Sequence, residues 1–136
     1  IIRKADLTMV TLRSVKLIGA DASFSDFTSA ALNGADMTKT NLSGAKLVNA
    51  VLNSSKLEFA RLDNANLTQA SLRRCILRGA SLQMAKLTKT NLAFTDFQGA
   101  DLTLADLSES NLRGAILLGA NLKWTDLSFT EFDNAN

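Results

Sequence analysis

Ala65-Asn66-Leu67-Thr68-Gln69 is followed at once by Ala70-Ser71-Leu72-Arg73-Arg74, and the two units share one five-residue pattern. Counted outward from Leu67 in steps of five, every residue from Ile2 to Phe132 is apolar: 21 Leu, three Phe and one each of Ile, Met and Ala. The residue two places before each of these central positions is always small, namely Ala, Thr, Ser, Val or Cys. The repeat therefore fills the chain without a slip in register.

The spacing of the pattern excludes an amphipathic helix. Apolar and small positions alternate at intervals of two and three residues, whereas a helical stripe needs intervals of three and four. At about 100° per residue, five residues advance by roughly 500°, so successive central leucines would scatter around a helix. In an extended segment, residues two apart point to the same side, so we expect Ala65 and Leu67 to face inward together. The remaining three-residue step must then turn the chain.

The glycines support a turn in every repeat. All seven Gly residues lie two places after a central apolar residue, and Asn49, Asn64 and Asn134 share that place. A type II turn needs a positive φ at its third residue, where Gly and Asn are least strained. The chain has no Pro, which fits a backbone whose amides all donate within β ladders. The pattern therefore predicts short extended segments joined by type II turns.

The repeat resembles that of the pentapeptide repeat family, whose pattern is A(D/N)LXX. The closest matches are Ala35-Asp36-Met37, Ala100-Asp101-Leu102, Ala105-Asp106-Leu107 and Ala120-Asn121-Leu122. The resemblance covers essentially all 136 residues. It implies an all-β fold, a right-handed quadrilateral parallel β-helix in which four units form one coil and the central Leu and preceding Ala stack inside. Such a chain makes about seven coils, and at about 4.8 Å per coil the rod is about 33 Å long.

A column of residues 20 positions apart gives independent support for a coil of that length. Positions 8, 28, 48, 68, 88, 108 and 128 hold Thr, Thr, Val, Thr, Thr, Ser and Ser. Paired β-branched and hydroxyl side chains on neighbouring strands stabilise a sheet by roughly 0.2–1 kcal/mol per pair. The column therefore predicts a structural ladder on one outer face rather than a ligand-binding one.

Length and composition indicate one domain. A chain of 136 residues fits a single hydrophobic core, and no charge-free apolar run approaches the about 18 residues of a transmembrane segment, which predicts a soluble protein. Ile1 is already in phase with the repeat and no initiator Met precedes it, so we expect residues 1–136 to be a single pentapeptide repeat domain of a longer chain. No residue selects a compartment: the cytoplasm is favoured, and secretion or a photosynthetic compartment stays open.

The available residue types exclude most catalytic chemistry. The chain has no His, no Tyr and a single Cys, Cys75, whose inward position predicts a buried hydrophobic side chain. Metal clusters of Cys and His are therefore impossible, and the glycines punctuate turns rather than form a phosphate-binding loop. Acids such as Asp101 and Asp106 recur one unit apart, as expected for solvated repeat residues on adjacent faces. We therefore expect no enzyme activity, no cofactor and no metal.

Several outer positions are apolar although the repeat permits polar residues there. Met84, Leu104 and Trp124 fall in one 20-residue column and should stack at a single corner, while Ile116 and Leu118 flank a central leucine on another face. Exposed apolar patches usually mark partner surfaces, and Trp is enriched in binding hot spots. These five residues are therefore the candidate partner surface.

Charge divides the chain into two parts. Residues 1–94 have a net charge of +7 and residues 95–136 a net charge of −5. A rod with such ends is expected either to stack end to end as a homo-oligomer or to dock different partners at its two ends. The candidate basic surface consists of Arg61, Arg73, Arg74 and Arg78.

Three functional interpretations remain open. The favoured one is a non-catalytic scaffold that presents flat β-helix faces and apolar corners to a protein partner of unknown identity. The second comes from the resemblance: some pentapeptide repeat proteins bind DNA gyrase or topoisomerase as duplex mimics, which requires DNA-like negative charge and so fits poorly with the basic residues 1–94. The third is nucleic-acid binding through the four arginines, which would be strongly salt dependent. Because those arginines fall on three faces, nucleic acid is the less expected partner.

Overall fold

In a computed structural model that describes all 136 residues, the chain winds into a quadrilateral parallel β-helix. There is no helix, and each strand is so short that one residue per strand pairs with the neighbouring coils. The paired residues recur every five positions from Asp6 to Glu131, and each pairs in parallel with the residue 20 positions further on. The 20-residue coil predicted from the sequence is therefore confirmed.

The four faces of the rod are numbered in chain order by their central residues. The first face begins at Ile2, the second at Leu7, the third at Leu12 and the fourth at Leu17, and each gains its next strand 20 residues later. The residues immediately before and after each centre point outward, as alternation along a strand requires. The residue two places past the centre forms the corner that leads to the next face.

Every corner is a tight turn. The amide three places past each centre donates to the central carbonyl, as from Ala70 N to Leu67 O at 2.9 Å. Every corner residue has a positive φ, from 54° at Lys4 to 68° at Gly119, so the φ predicted for a type II turn is confirmed. Only seven corner residues are Gly and 20 are not, although a left-handed backbone costs other residues of order 1 kcal/mol. The hydrogen bonds of the coil must therefore outweigh that strain at most corners.

The core is a stack of the central residues and the small residues that precede them. Every central residue from Ala22 to Leu112 is fully buried, and Ala65 beside Leu67 is equally inaccessible. The central residues of the outermost coils pack against the same cluster but are only partly covered, because they have a neighbouring coil on one side only. The last of them, Phe132, is 39% exposed and does not join the cluster. The inward assignment of the repeat is therefore confirmed.

Most polar residues at the small inward position donate to a turn carbonyl of the preceding coil; Ser110 Oγ is buried without a partner. Thr40 Oγ1 lies 2.6 Å from Leu17 O, and Ser55 Oγ lies 2.7 Å from Leu32 O. The same bond is made by Thr90, Thr95, Thr125 and Thr130. Since burying an unpaired hydroxyl is costly, this bond explains how the repeat accepts Thr and Ser in place of Ala.

On the outer faces, an acid before the centre bonds to a hydroxyl residue after it. Asp36 Oδ1 accepts from Thr38 N at 3.2 Å and from Thr38 Oγ1 at 2.7 Å. The same two bonds are made at Asp21, Asp101, Asp106 and Asp126. Within the predicted column, the hydroxyls of Thr68, Ser108 and Ser128 also bond to the Asn or Asp two places earlier. The hydroxyls of the column therefore bond within their own strand, in addition to lying beside their neighbours in the adjoining coils.

These bonds lower the pKa of the aspartates. For Asp21, Asp36 and Asp101, the side-chain hydrogen bond from the Ser or Thr two residues later is the largest cause, and the backbone amide of that residue adds to it. Both bonds favour the ionised carboxylate, because it is the better acceptor. The pKa of Asp126 is lowered in the same way.

Three corner glycines lie beside a phenylalanine ring of the preceding coil. A Cβ on Gly44 would stand 2.6 Å from the Phe24 ring, and one on Gly114 would stand 2.6 Å from the Phe94 ring. The third pair is Gly79 with Phe59, at 2.7 Å. Each phenylalanine precedes its glycine by 20 residues, so the ring occupies the space that any other corner residue would fill.

The depressed pKa values predict acid sensitivity. A carboxylate whose pKa is lower in the folded than in the unfolded chain contributes stability above its ordinary pKa near 4, and this stability is lost as the pH falls through the folded value. We therefore expect the urea midpoint to fall as the pH is lowered from about 5 to about 2.

The Asp36→Asn and Asp101→Asn double variant should lose less stability over this range, because Asn keeps the amide bond, as Asn66 does with Thr68, but does not titrate. Asp133→Asn is the control, since the Asp133 side chain accepts no hydrogen bond. Equal acid dependence in wild type and double variant would contradict the prediction.

The glycine contacts predict that two similar substitutions differ in effect. Gly44 and Gly99 have φ values of +66° and +67°, but nothing lies within 4 Å of a Cβ on Gly99. We expect Gly44→Ala to destabilise the protein by about 1 kcal/mol more than Gly99→Ala, because only the first crowds a ring. Urea unfolding of both variants measures the difference. In a double-mutant cycle, Phe24→Ala should remove the extra destabilisation of Gly44→Ala. Strict additivity of Phe24→Ala and Gly44→Ala would disprove the contact between the Phe24 ring and a Cβ at position 44.

Candidate interaction surfaces

Met84, Leu104 and Trp124 occupy the corner after the first face in three successive coils and are called the apolar corner. Met84 N donates to Thr103 O and Leu104 N donates to Lys123 O, both at 3.0 Å, which holds the three residues one coil spacing of about 4.8 Å apart. Their exposed fractions are 56%, 50% and 69%. The structure therefore brings these three predicted residues together as one exposed apolar stripe.

The apolar corner has a polar rim. Lys123 Nζ lies 4.0 Å from the centroid of the Trp124 ring, a cation–π contact worth about 0.5–1 kcal/mol at an exposed site. The outer residues of the second face beside the stripe are Lys86, Asp106 and Asp126. An apolar centre with charged residues at its edge is the usual anatomy of a protein interface.

Ile116 and Leu118 do not belong to the apolar corner. They lie on the fourth face, with exposed fractions of 40% and 59%, and the width of the first face separates them from Trp124. Ile18 stands in the same column as Leu118 but five coils away, about 24 Å along the rod. The predicted partner surface therefore divides into two separate patches.

The exposed phenylalanines were missed as surface features. Phe24, Phe59, Phe94 and Phe129 are 59%, 61%, 48% and 89% exposed. They recur every 35 residues, which is seven repeats in a helix of four repeats per coil. Each therefore lies at a different corner, and the period of 35 was the signal available in the sequence.

The four arginines of the candidate basic surface are not brought together. Arg61 lies on the first face, Arg73 on the third, Arg74 at the corner after the third, and Arg78 on the fourth. Two of them are in ion pairs: Arg61 Nε is 3.4 Å from Asp63 Oδ2, and Arg78 Nε is 2.6 Å from Asp96 Oδ2. Only Arg73 and Arg74 remain adjacent and free of a carboxylate partner.

The shifted pKa values of Cys75 and of the aspartates move away from those that a nucleophile or a general acid needs. Cys75 is buried, as predicted, and burial raises the pKa of its thiol to about 12, so the thiolate is absent at neutral pH. The shifted aspartate pKa values are lowered, whereas a general acid needs a raised one. No three metal-binding side chains come together. The chain also forms no helix of the length and apolarity that a membrane crossing demands.

Comparison with known proteins gives one consistent family. The family model for pentapeptide repeats matches residues 5–44, 32–69, 55–92, 65–103 and 105–136. A search among curated proteins finds no match.

Solved structures of similar proteins include three from cyanobacteria. HetL from Nostoc sp. strain PCC 7120, a pentapeptide repeat protein involved in heterocyst differentiation regulation, is 29% identical over 98% of this chain and 72% of its own, with a TM-score of 0.52. The pentapeptide repeat protein alr5209 from Nostoc PCC 7120 is 36% identical over 62% of this chain and 67% of its own, with a TM-score of 0.58. Rfr23 from Cyanothece 51142 is 30% identical over 92% of this chain and 86% of its own, with a TM-score of 0.45.

The residues that carry the family match are those that build the fold. The matched segments span residues 5 to 136, and the buried central residues and positive-φ corners recur along the same stretch. The family fold is the right-handed quadrilateral β-helix. The chain therefore belongs to the pentapeptide repeat family.

Proposed function

We propose that this chain is a non-catalytic scaffold that binds a protein partner through the apolar corner. The observation that carries the proposal is the alignment of Met84, Leu104 and Trp124 in successive coils, each at least half exposed. Exposed apolar residues scattered singly are ordinary, but a contiguous stripe usually marks an interaction site. Trp124, the most exposed of the three, is the expected hot spot.

The rigidity of the corner supports recognition. Met84 and Leu104 each donate to the backbone of the following coil, and Trp124 is held within the turn closed by Thr125 N and Leu122 O. The backbone of the stripe is therefore fixed before binding, and little backbone entropy is lost. The stripe is only about 10 Å long, whereas a stable interface buries roughly 800 Å² per partner. The partner must therefore also contact the flat first and second faces beside the corner.

Charge favours this function over the two alternatives. A duplex mimic of the kind that binds DNA gyrase needs continuous negative charge, but this chain has a net charge of +2. The arginines that would contact a nucleic acid are dispersed, and Arg61 and Arg78 are held by Asp63 and Asp96. The remaining alternative is that the apolar corner binds a second copy of the same chain.

We expect Trp124→Ala to weaken partner binding by at least about tenfold, since hot-spot truncation costs 2 kcal/mol or more. Phe59→Ala is the matched control: it removes another exposed corner aromatic, with an exposed fraction of 61%, far from the stripe. Quantitative pull-down from extract of the source cells, with wild type and both variants side by side, measures the change.

Light-scattering mass distinguishes the two kinds of partner. A mass that is the same for wild type and Trp124→Ala, together with selective loss of a captured protein, supports a different protein as partner. A wild-type dimer that is lost only in Trp124→Ala would assign the corner to self-association. Retention of every captured protein by Trp124→Ala would contradict the proposed role of the corner.

A further inference from the structure

The third face differs in charge from the other three. The chain has 13 acidic residues, yet the first six strands of this face carry none; Glu131 and Asp133 stand only in its last strand. The same face carries Arg13, Arg73 and Arg113 immediately after central residues. Most of the face is therefore positively charged.

None of these arginines is in an ion pair, although Asp133 stands one coil after Arg113 in the same column. The five ion pairs of the structure include neither Arg73 nor Arg113, and Glu131 and Asp133 are in none of them. The nearest acids on the adjoining corner and face are already paired, Glu109 with Lys89 at 3.5 Å and Asp96 with Arg78 at 2.6 Å. The guanidinium groups of the third face therefore remain available to an external anion.

Ala93 forms the floor of a depression between two of these arginines. It stands one coil after Arg73 and one coil before Arg113 in the same column, so the two arginines are about 9.6 Å apart along the rod. Ala93 is the only alanine that directly follows a central residue anywhere in the chain, and it is only 6% exposed. The depression measures about 170 Å³ and is lined by Arg73, Asn91, Ala93, Phe94, Asn111 and Arg113.

The walls of the depression offer hydrogen-bond donors. Asn91 Oδ1 accepts from Ala93 N at 3.2 Å, and Asn111 Oδ1 accepts from Arg113 N at 2.9 Å. Each bond uses one of the two lone pairs of a side-chain amide oxygen, and neither Nδ2 has a hydrogen-bond partner within the protein. Arginine contributes donors only. A wall in which N–H donors outnumber the remaining acceptor lone pairs fits an oxyanion better than a cation.

Phe94 closes one side of the depression. The Gly114 corner leaves room for its ring, and the Arg74 guanidinium carbon lies 6.0 Å from the ring centroid. A second depression of about 240 Å³ shares Arg73 and adds Asn53, Ser54 and Arg74. Both are smaller than the roughly 300–1,000 Å³ of a small-molecule pocket, so they suit a single ionic group rather than an enclosed cofactor.

We propose that Arg73, Asn91, Asn111 and Arg113 form a binding site for a phosphate group above Ala93. Guanidinium groups bind phosphate oxygens in pairs of charge-assisted hydrogen bonds, and two guanidiniums match a dianion better than a carboxylate with one charge. The phosphate is either free, including a small phosphorylated compound, or carried on a side chain of a protein partner. The site lies on a different face from the apolar corner and does not depend on it.

Titration of the whole chain with inorganic phosphate at constant ionic strength, followed by ¹⁵N NMR, tests the site. We expect saturable shifts of the Asn91 and Asn111 side-chain amides. Arg73→Gln and Arg113→Gln should each raise the Kd by at least about tenfold, because each removes charge-assisted bonds.

Two further variants separate a site from general attraction. Arg13→Gln removes the same charge in the same column, but Arg13 lies three coils before Arg73, with Asn33 and Asn53 between them. Its Kd should change by less than about twofold. Ala93→Leu fills the floor without changing charge, and the fold accepts Leu at this place, as at Leu118. Ala93→Leu should weaken phosphate binding as strongly as Arg73→Gln does.

The outcomes are decisive in either direction. Non-saturating shifts spread over all faces, equal losses in Arg13→Gln and Arg73→Gln, or unchanged binding in Ala93→Leu would each overturn the proposal. A short neutral peptide containing phosphoserine distinguishes the two sources. If it binds more tightly than inorganic phosphate, the group is carried on a protein partner; if it does not, the ligand is free phosphate or a small phosphorylated compound.

Discussion

The parallel backbone ladder between residues one coil apart supports every other feature of this protein. Leu67 N donates to Lys86 O at 2.7 Å, Gln69 N to Thr88 O at 3.0 Å, and Lys86 N to Ala65 O at 2.9 Å. Three amides of each repeat are committed in this way and a fourth closes the turn. Because the ladder has a constant register, each outer side chain has its nearest neighbours 20 residues before and after it. The outer surface of this fold is therefore made of columns.

The ladder also explains where the sequence is free to vary. Central residues are confined by the stack, whereas the corner accepts Gly, Lys, Phe and Trp alike despite its positive φ. That tolerance lets large apolar residues line up at the apolar corner without disturbing the core. The third face shows the same freedom, since Arg73, Ala93 and Arg113 differ in size and charge within one column.

The fold was predictable because each of its elements depends on local spacing. The two-and-three alternation around Leu67 identifies the inward residues, and the common place of the glycines identifies the turn. The aspartate pairs were missed, although triplets such as Asp36-Met37-Thr38 and Asp106-Leu107-Ser108 were a visible signal. The column periodicity of 20 residues points to contacts between coils, whereas these hydroxyls bond to a carboxylate two residues earlier in the same strand.

The candidate sites were harder to predict because they depend on contacts between columns. Arg78 and Asp96 are 18 residues apart and meet diagonally between coils, so a list of arginines overestimates the basic surface. The stack of Met84, Leu104 and Trp124 was predictable because it follows from the 20-residue period alone. Predicting the depression above Ala93 required noticing that one face lacks acids as well as that it carries arginines.

The central claim is that the repeat keeps one inward register along the chain, and a charge placed in the stack tests it most directly. Leu67 is fully buried, so Leu67→Lys would bury an unpaired ammonium group. Gln69→Lys instead places the same side chain at an exposed corner, where Lys89 already stands in the next coil. Thermal unfolding followed by circular dichroism should show that Leu67→Lys loses the cooperative transition and that Gln69→Lys melts like wild type. A wild-type transition in Leu67→Lys would contradict the inward register.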